Sequence, residues 1–148
     1  MNYRLIQLTN KSVPAVSANA LMPLGTITRR ICPRANCAQT FDVTTSGADT
    51  VSITEQGYYR VSYNVSAVAG VAGLATLSLN LGGTSVYTAG ATASAEGDTV
   101  NINLTYMVRA FGNCDTMPVN LPLTLQIENT GVALTSAVSD LLIERTYC

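Results

Sequence analysis

Gly57-Tyr58-Tyr59-Arg60-Val61-Ser62-Tyr63-Asn64-Val65-Ser66-Ala67 decides the fold of this 148-residue chain. Its odd positions Tyr59, Val61, Tyr63, Val65 and Ala67 are bulky or apolar, and Arg60, Ser62, Asn64 and Ser66 between them are polar. A two-residue period held over ten positions gives one buried and one wet face, the mark of an antiparallel strand in a sheet packed on one side. Glu55-Gln56-Gly57 reads as the turn that feeds it.

On either side the same alternation recurs, and no segment carries a helical stripe. Upstream, strands are expected at Tyr3–Leu8, Gly25–Ile31, Phe41–Thr44 and Thr50–Thr54, with Asn10–Met22 as an extended connection. Downstream, Ala75, Leu77, Leu79 and Leu81 alternate with Thr76, Ser78 and Asn80. Gly82-Gly83 then predicts a tight hairpin into Ser85–Ala91. Val100–Ala110 is the longest alternating run, Leu121–Ile127 another apolar face, and Val138–Tyr147 closes the chain. About ten short strands with polar turns indicate an all-β sandwich or barrel in one domain. Residues 1–24 read as an N-terminal strand or arm. Leu141, Leu142 and Ile143 stand in a row, which implies a second buried face on the last strand, supplied by another subunit.

Composition narrows the partners. Hydrophobic residues make up 47% and charged residues only 11%, against about 25% charged in ordinary domains, so part of the surface is expected to lie against partners. Net charge is −1 with scattered basic residues, which argues against nucleic acid. The N-terminus lacks a signal-peptide pattern. Val61–Ala95 carries no charge but is threaded with Ser, Thr, Asn and Gly, so no membrane insertion by a helix is expected.

Glu55-Gln56-Gly57-Tyr58-Tyr59-Arg60-Val61-Ser62-Tyr63 resembles the Gly-x-Tyr-x-(aromatic or aliphatic)-x-Tyr start of a central strand in complement and tumour-necrosis-factor-like (TNF-like) heads. It is similar also to the carboxy-terminal domain of collagen-like spore-surface glycoproteins and to related phage domains. The likeness runs from about Gly25 to Tyr147. It implies a ten-stranded TNF-like jelly roll assembled as a homotrimer, with Tyr58, Tyr59, Tyr63, Leu141, Leu142 and Ile143 at the trimer interface. The free-standing form, with Leu8-Thr9-Asn10 and Met22-Pro23-Leu24-Gly25 and no collagen repeat, looks most like phage versions. A virion role follows as an expectation: a head fibre, a capsid decoration or a tail-associated protein bound to capsid or other virion proteins. The alternatives are a module binding a host-surface glycan or protein, and a bacterial spore or cell-surface protein.

No catalytic constellation stands out. The chain has no His, so the commonest general base and metal ligand are missing. No enzyme activity, cofactor or metal is therefore expected. Cys32, Cys37, Cys114 and Cys148 leave zinc, disulfides and reduced thiols open: a Cys32–Cys37 link would pin a loop, and Cys114 and Cys148 could pair together or across subunits. Glu96 and Asp98 read as solvated turn acids. Asp115, Glu128 and Asp140 lack a calcium-loop spacing. The loop Phe111–Asn120, with Asn113, Asp115 and Met117, is the candidate recognition surface, since rigid scaffolds present binding loops.

Overall fold

The computed structural model describes residues 4–13, 15–31, 41–43, 49–110 and 122–147. Ten strands follow one another: β1 (Arg4–Val13), β2 (Thr26–Ile31), β3 (Phe41–Val43), β4 (Val51–Ile53), β5 (Gly57–Ala69), β6 (Gly73–Leu81), β7 (Thr84–Ala93), β8 (Thr99–Ala110), β9 (Leu123–Asn129) and β10 (Leu134–Tyr147). They form two five-stranded antiparallel sheets, β2-β1-β10-β5-β8 and β3-β4-β9-β6-β7. Each expected strand is present with its ends moved by a few residues. The largest shifts are at the end of β1, which runs past the expected Leu8 to Val13, and at the start of β10, where Leu134 and Thr135 already pair with Ala69 and Val68 before a bulge.

The opening stretch lies on β5, between β10 and β8. Tyr59, Val61, Tyr63, Val65 and Ala67 all bury into a core shared by both sheets, and the residues between them face outward. Phe41 of the other sheet packs edge-on against Tyr59, ring centres 5.7 Å apart. The Tyr59 hydroxyl donates to the Glu55 carbonyl at 2.7 Å. That bond satisfies the polar tip of a side chain whose ring belongs to the core. Gly82 and Gly83 both hold positive φ, 59° and 83°, the geometry of the tight hairpin linking Leu81 to Thr84.

Two expectations change. Leu141 and Ile143 are fully buried inside one chain, as are Tyr59 and Tyr63. These four belong to the sandwich core and offer no side-chain surface to a second copy. Only Leu142 of the row points outward, half-buried. The three-residue apolar run is therefore an ordinary inward pair around one outward leucine. The segment read as an extended connection from Asn10 begins inside a strand. β1 runs on to Val13 and occupies an interior position between β2 and β10.

After β1 the chain crosses from the Leu134 end of β10 to β9 of the other sheet. Val16 exchanges backbone hydrogen bonds with Leu134, Asn19 and Ala20 bond to Asn129, and Met22 donates to Ile127. Val16, Met22 and Leu24 are buried. The latch is Asn129, itself fully buried. Its Nδ2 donates to the carbonyls of Val16 (3.1 Å), Ser17 (3.4 Å) and Val132 (3.0 Å), and its Oδ1 accepts from Gly131 N–H at 3.1 Å. A buried amide is tolerated only when so satisfied.

Candidate interface

The outward side of sheet β2-β1-β10-β5-β8 is one of the two broad outer faces of the sandwich. Strand register arranges its side chains in cross-strand rows. Met107, Arg60, Glu144 and Leu5 form one row; Thr105, Ser62, Leu142 and Gln7 the next; Asn103, Asn64, Asp140 and Thr9 the third; Asn101, Ser66 and Val138 the fourth. Met107 and Val138 are 51% and 53% exposed. Leu142 and Tyr58 are half-buried, and Tyr58 holds the end of β10 through its carbonyl, which accepts from Thr146 Oγ1 at 3.2 Å.

Three ion pairs form on or beside this face among the described residues. Arg60 pairs with Glu144 in the first row. At the same end of the sandwich Arg4 and Arg145 share Glu55, at 3.3 and 3.5 Å, and Arg145 Nη2 donates to Gln56 O at 2.6 Å. The third and fourth rows are amide- and hydroxyl-rich. Gln7 Nε2 donates to Asp140 Oδ1 at 2.9 Å, and Asn64, Asn101, Asn103, Val138 and Asp140 line a shallow cleft of about 280 Å³.

A second surface lies where the two sheets close at one side. β7 is a ten-residue edge strand with no charged residue and no proline. Val86 and Tyr87 are exposed, and the Tyr87 ring packs 5.7 Å from Tyr106 of β8. Natural edge strands are usually short, charged or interrupted. β3 is three residues long, β2 carries Arg29 and Arg30, and β7, though uncharged, is interrupted at Val86, where its register with β6 shifts.

Burial pushes the phenols of Tyr59 and Tyr63 up to about 12. Arg145 pulls Tyr59 part of the way back, and the Ser139 hydroxyl does so for Tyr63. Both belong to the core and not to a reactive site. Asp98 accepts from Ser94 and Ala95 N–H at 3.0 Å each, so it shapes its turn. Glu128 accepts from Asn80 at 3.0 Å. Among the described residues no group of His, Cys, Asp and Glu could hold a metal ion. Cys32, Cys37, Cys114 and Cys148, and the recognition-loop residues Asn113, Asp115 and Met117, lie outside the described residues. Of the six expected interface residues, Tyr58 and Leu142 reach the outer face. The outer face also carries Met107 and Val138, which reasoning from sequence did not name; for Met107 the signal was a single apolar residue interrupting the polar positions of Val100–Ala110.

The sequence matches no protein-family model and no curated protein. Solved structures do match over nearly the whole chain. The vertex protein P5 of PRD1 is 16% identical, covering 98% of each chain at a TM-score of 0.59. Murine APRIL is 7% identical, covering 97% of this chain and 99% of its own, at 0.66. Eiger TNF from S. frugiperda is 10% identical over 100% of this chain and 96% of its own, at 0.66. The globular domain of zebrafish complement 1qA is 10% identical, covering 99% and 97%, at 0.58. At such identities the likeness concerns the fold: this chain is a TNF-like jelly roll of ten strands in two antiparallel sheets.

Proposed function

We propose that this chain is a non-catalytic structural protein of a phage virion that works as a homotrimer. The observation that carries the reading is the outer face of sheet β2-β1-β10-β5-β8. Leu142, Val138 and Met107 stand there beside the paired Arg60 and Glu144, a surface suited to contact with protein. A closed ring of identical copies needs two different, complementary patches on each copy. The outer sheet face and the uncharged β7 side with Val86 and Tyr87 supply two such patches. Burying apolar area between them contributes about 25 cal/mol per Å², less the cost of association.

The virion setting is supported by the whole-length likeness to the PRD1 vertex protein. Capsid or other virion proteins are its partners under this reading. No arrangement of acid, base and nucleophile among the described residues points to catalysis. Mass measurement of the purified chain tests the assembly. Immunogold labelling of particles from a host carrying the gene tests the setting, and label confined to cell or spore surfaces would overturn it.

A further inference from the structure

A cleft of about 460 Å³ opens where β1 meets the start of β2, lined by Thr9, Asn10, Lys11, Gly25, Thr26 and Thr28. That volume is ordinary for a small-molecule site, about 300–1,000 Å³, yet the lining holds no aliphatic or aromatic residue. Its walls are set by the backbone. Thr9 stands opposite Thr26, and a register shift leaves Thr28 as the extra residue between Ile27 and Arg29. Thr28 Oγ1 donates to the Gln7 carbonyl at 3.3 Å. Gly25, at φ 90°, brings the two strands so close that a β-carbon there would overlap the Thr9 carbonyl and the Asn10 side chain. Asn10 Nδ2 donates to the Pro23 carbonyl at 3.4 Å, and buried Met22 and Leu24 fix the chain just before Gly25.

Charge sets this corner apart. Arg4, Arg60 and Arg145 each pair with Glu55 or Glu144. Lys11, Arg29 and Arg30 form no ion pair among the described residues, and all three are exposed on β1 and β2. Lys11 lines the cleft, and Arg29 follows Thr28 at its rim. The acid nearest by register is Asp140, opposite Thr9 on β10, whose carboxylate accepts from Gln7 Nε2 at 2.9 Å. Positive charge therefore prevails on the β1–β2 side.

We propose that this cleft binds the anionic group of a sugar, a carboxylate or a phosphate. Lys11 supplies the charge as three rotatable donors, which suit either anion. The hydroxyls of Thr9 and Thr26 donate to the same group, and threonine and asparagine side chains match the surrounding sugar hydroxyls because they both donate and accept. An apolar ligand finds nothing there to pack against. The cleft is complete within one chain, so the proposal stands or falls separately from the homotrimer and from the virion setting.

Titration of the isotope-labelled full chain at low salt, followed by amide NMR shifts, tests it with trigalacturonate, glucose 6-phosphate, neutral maltotriose and a hexaglutamate peptide. Trigalacturonate or glucose 6-phosphate should bind with a Kd of about 1 mM or tighter, moving the amides of Thr9–Lys11 and Gly25–Thr28. The tighter of the two assigns carboxylate or phosphate as the group taken. Lys11→Gln should keep the parent's unfolding midpoint and weaken that binding about tenfold, and added salt should weaken it in the parent. Failure of both anionic sugars to bind, equal binding of maltotriose, shifts confined to other parts of the chain, or an unchanged Kd in Lys11→Gln would overturn the proposal. Tighter binding of hexaglutamate than of either sugar would overturn it too, by assigning the cleft to an acidic protein segment.

Discussion

Replacing Ile143 and Leu142 separately by alanine tests the register of the last strand, because neighbouring residues on a strand face opposite ways. Ile143 is fully buried between the sheets, opposite Ile6 on one side and Val61 on the other. Ile143→Ala removes a buried branched side chain and leaves a cavity, a change that costs about 2–5 kcal/mol. For a chain of this size each kcal/mol moves the unfolding midpoint by about 2–4 °C, so a fall on the order of 10 °C is expected. Leu142 lies half-buried on the outer face, and its truncation should cost one chain less than about 1 kcal/mol. The assay is thermal unfolding followed by circular dichroism at two protein concentrations a hundredfold apart. Ile143→Ala should lower the midpoint at both, whereas Leu142→Ala should mainly reduce its dependence on concentration, the signature of a weakened contact between copies. A Leu142 variant as unstable as the Ile143 variant at low concentration would refute the assignment of faces.

Further outcomes follow from the same structure. Asn129→Ala strands the carbonyls of Val16, Ser17 and Val132 without their donor and should cost about 2–3 kcal/mol, read by urea unfolding. Gly25→Ala, strained at φ 90° and overlapping Thr9, should destabilise far more than Gly83→Ala, which has positive φ but open space and should cost about 1–2 kcal/mol. Tyr59 and Tyr63 have folded-state pKa values raised to about 12 from 10.0. The folded chain thus holds these protons more tightly, and their contribution to stability is whole below pH 10 and lost as pH rises toward 12. Ultraviolet titration should show their phenolates appearing only with unfolding.

Much of this fold is legible in the sequence because its signal is local. The alternation at Gly57–Ala67 and Val100–Ala110 states which side chains enter the core, and Gly82-Gly83 states where the chain reverses. The packing of Leu141, Leu142 and Ile143 was harder to read. An apolar residue on the outward face looks the same in sequence whether a neighbouring copy, a flanking side chain or water covers it. The crossover was missed for a different reason. Asn129 is 112 residues from Ser17, and a lone asparagine in a turn gives no sign of a long-range latch. The outer sheet face was half legible: Tyr58 and Leu142 lie on it, but Met107, Val138 and the uncharged β7 edge emerge only when the sheet order is known.

The number of copies in solution bears most directly on the proposed role. Light scattering coupled to size exclusion, on the full chain at micromolar concentration and near-neutral pH, should return a single species of three times the 15.6 kDa chain mass. A monodisperse species at the mass of one chain would contradict it.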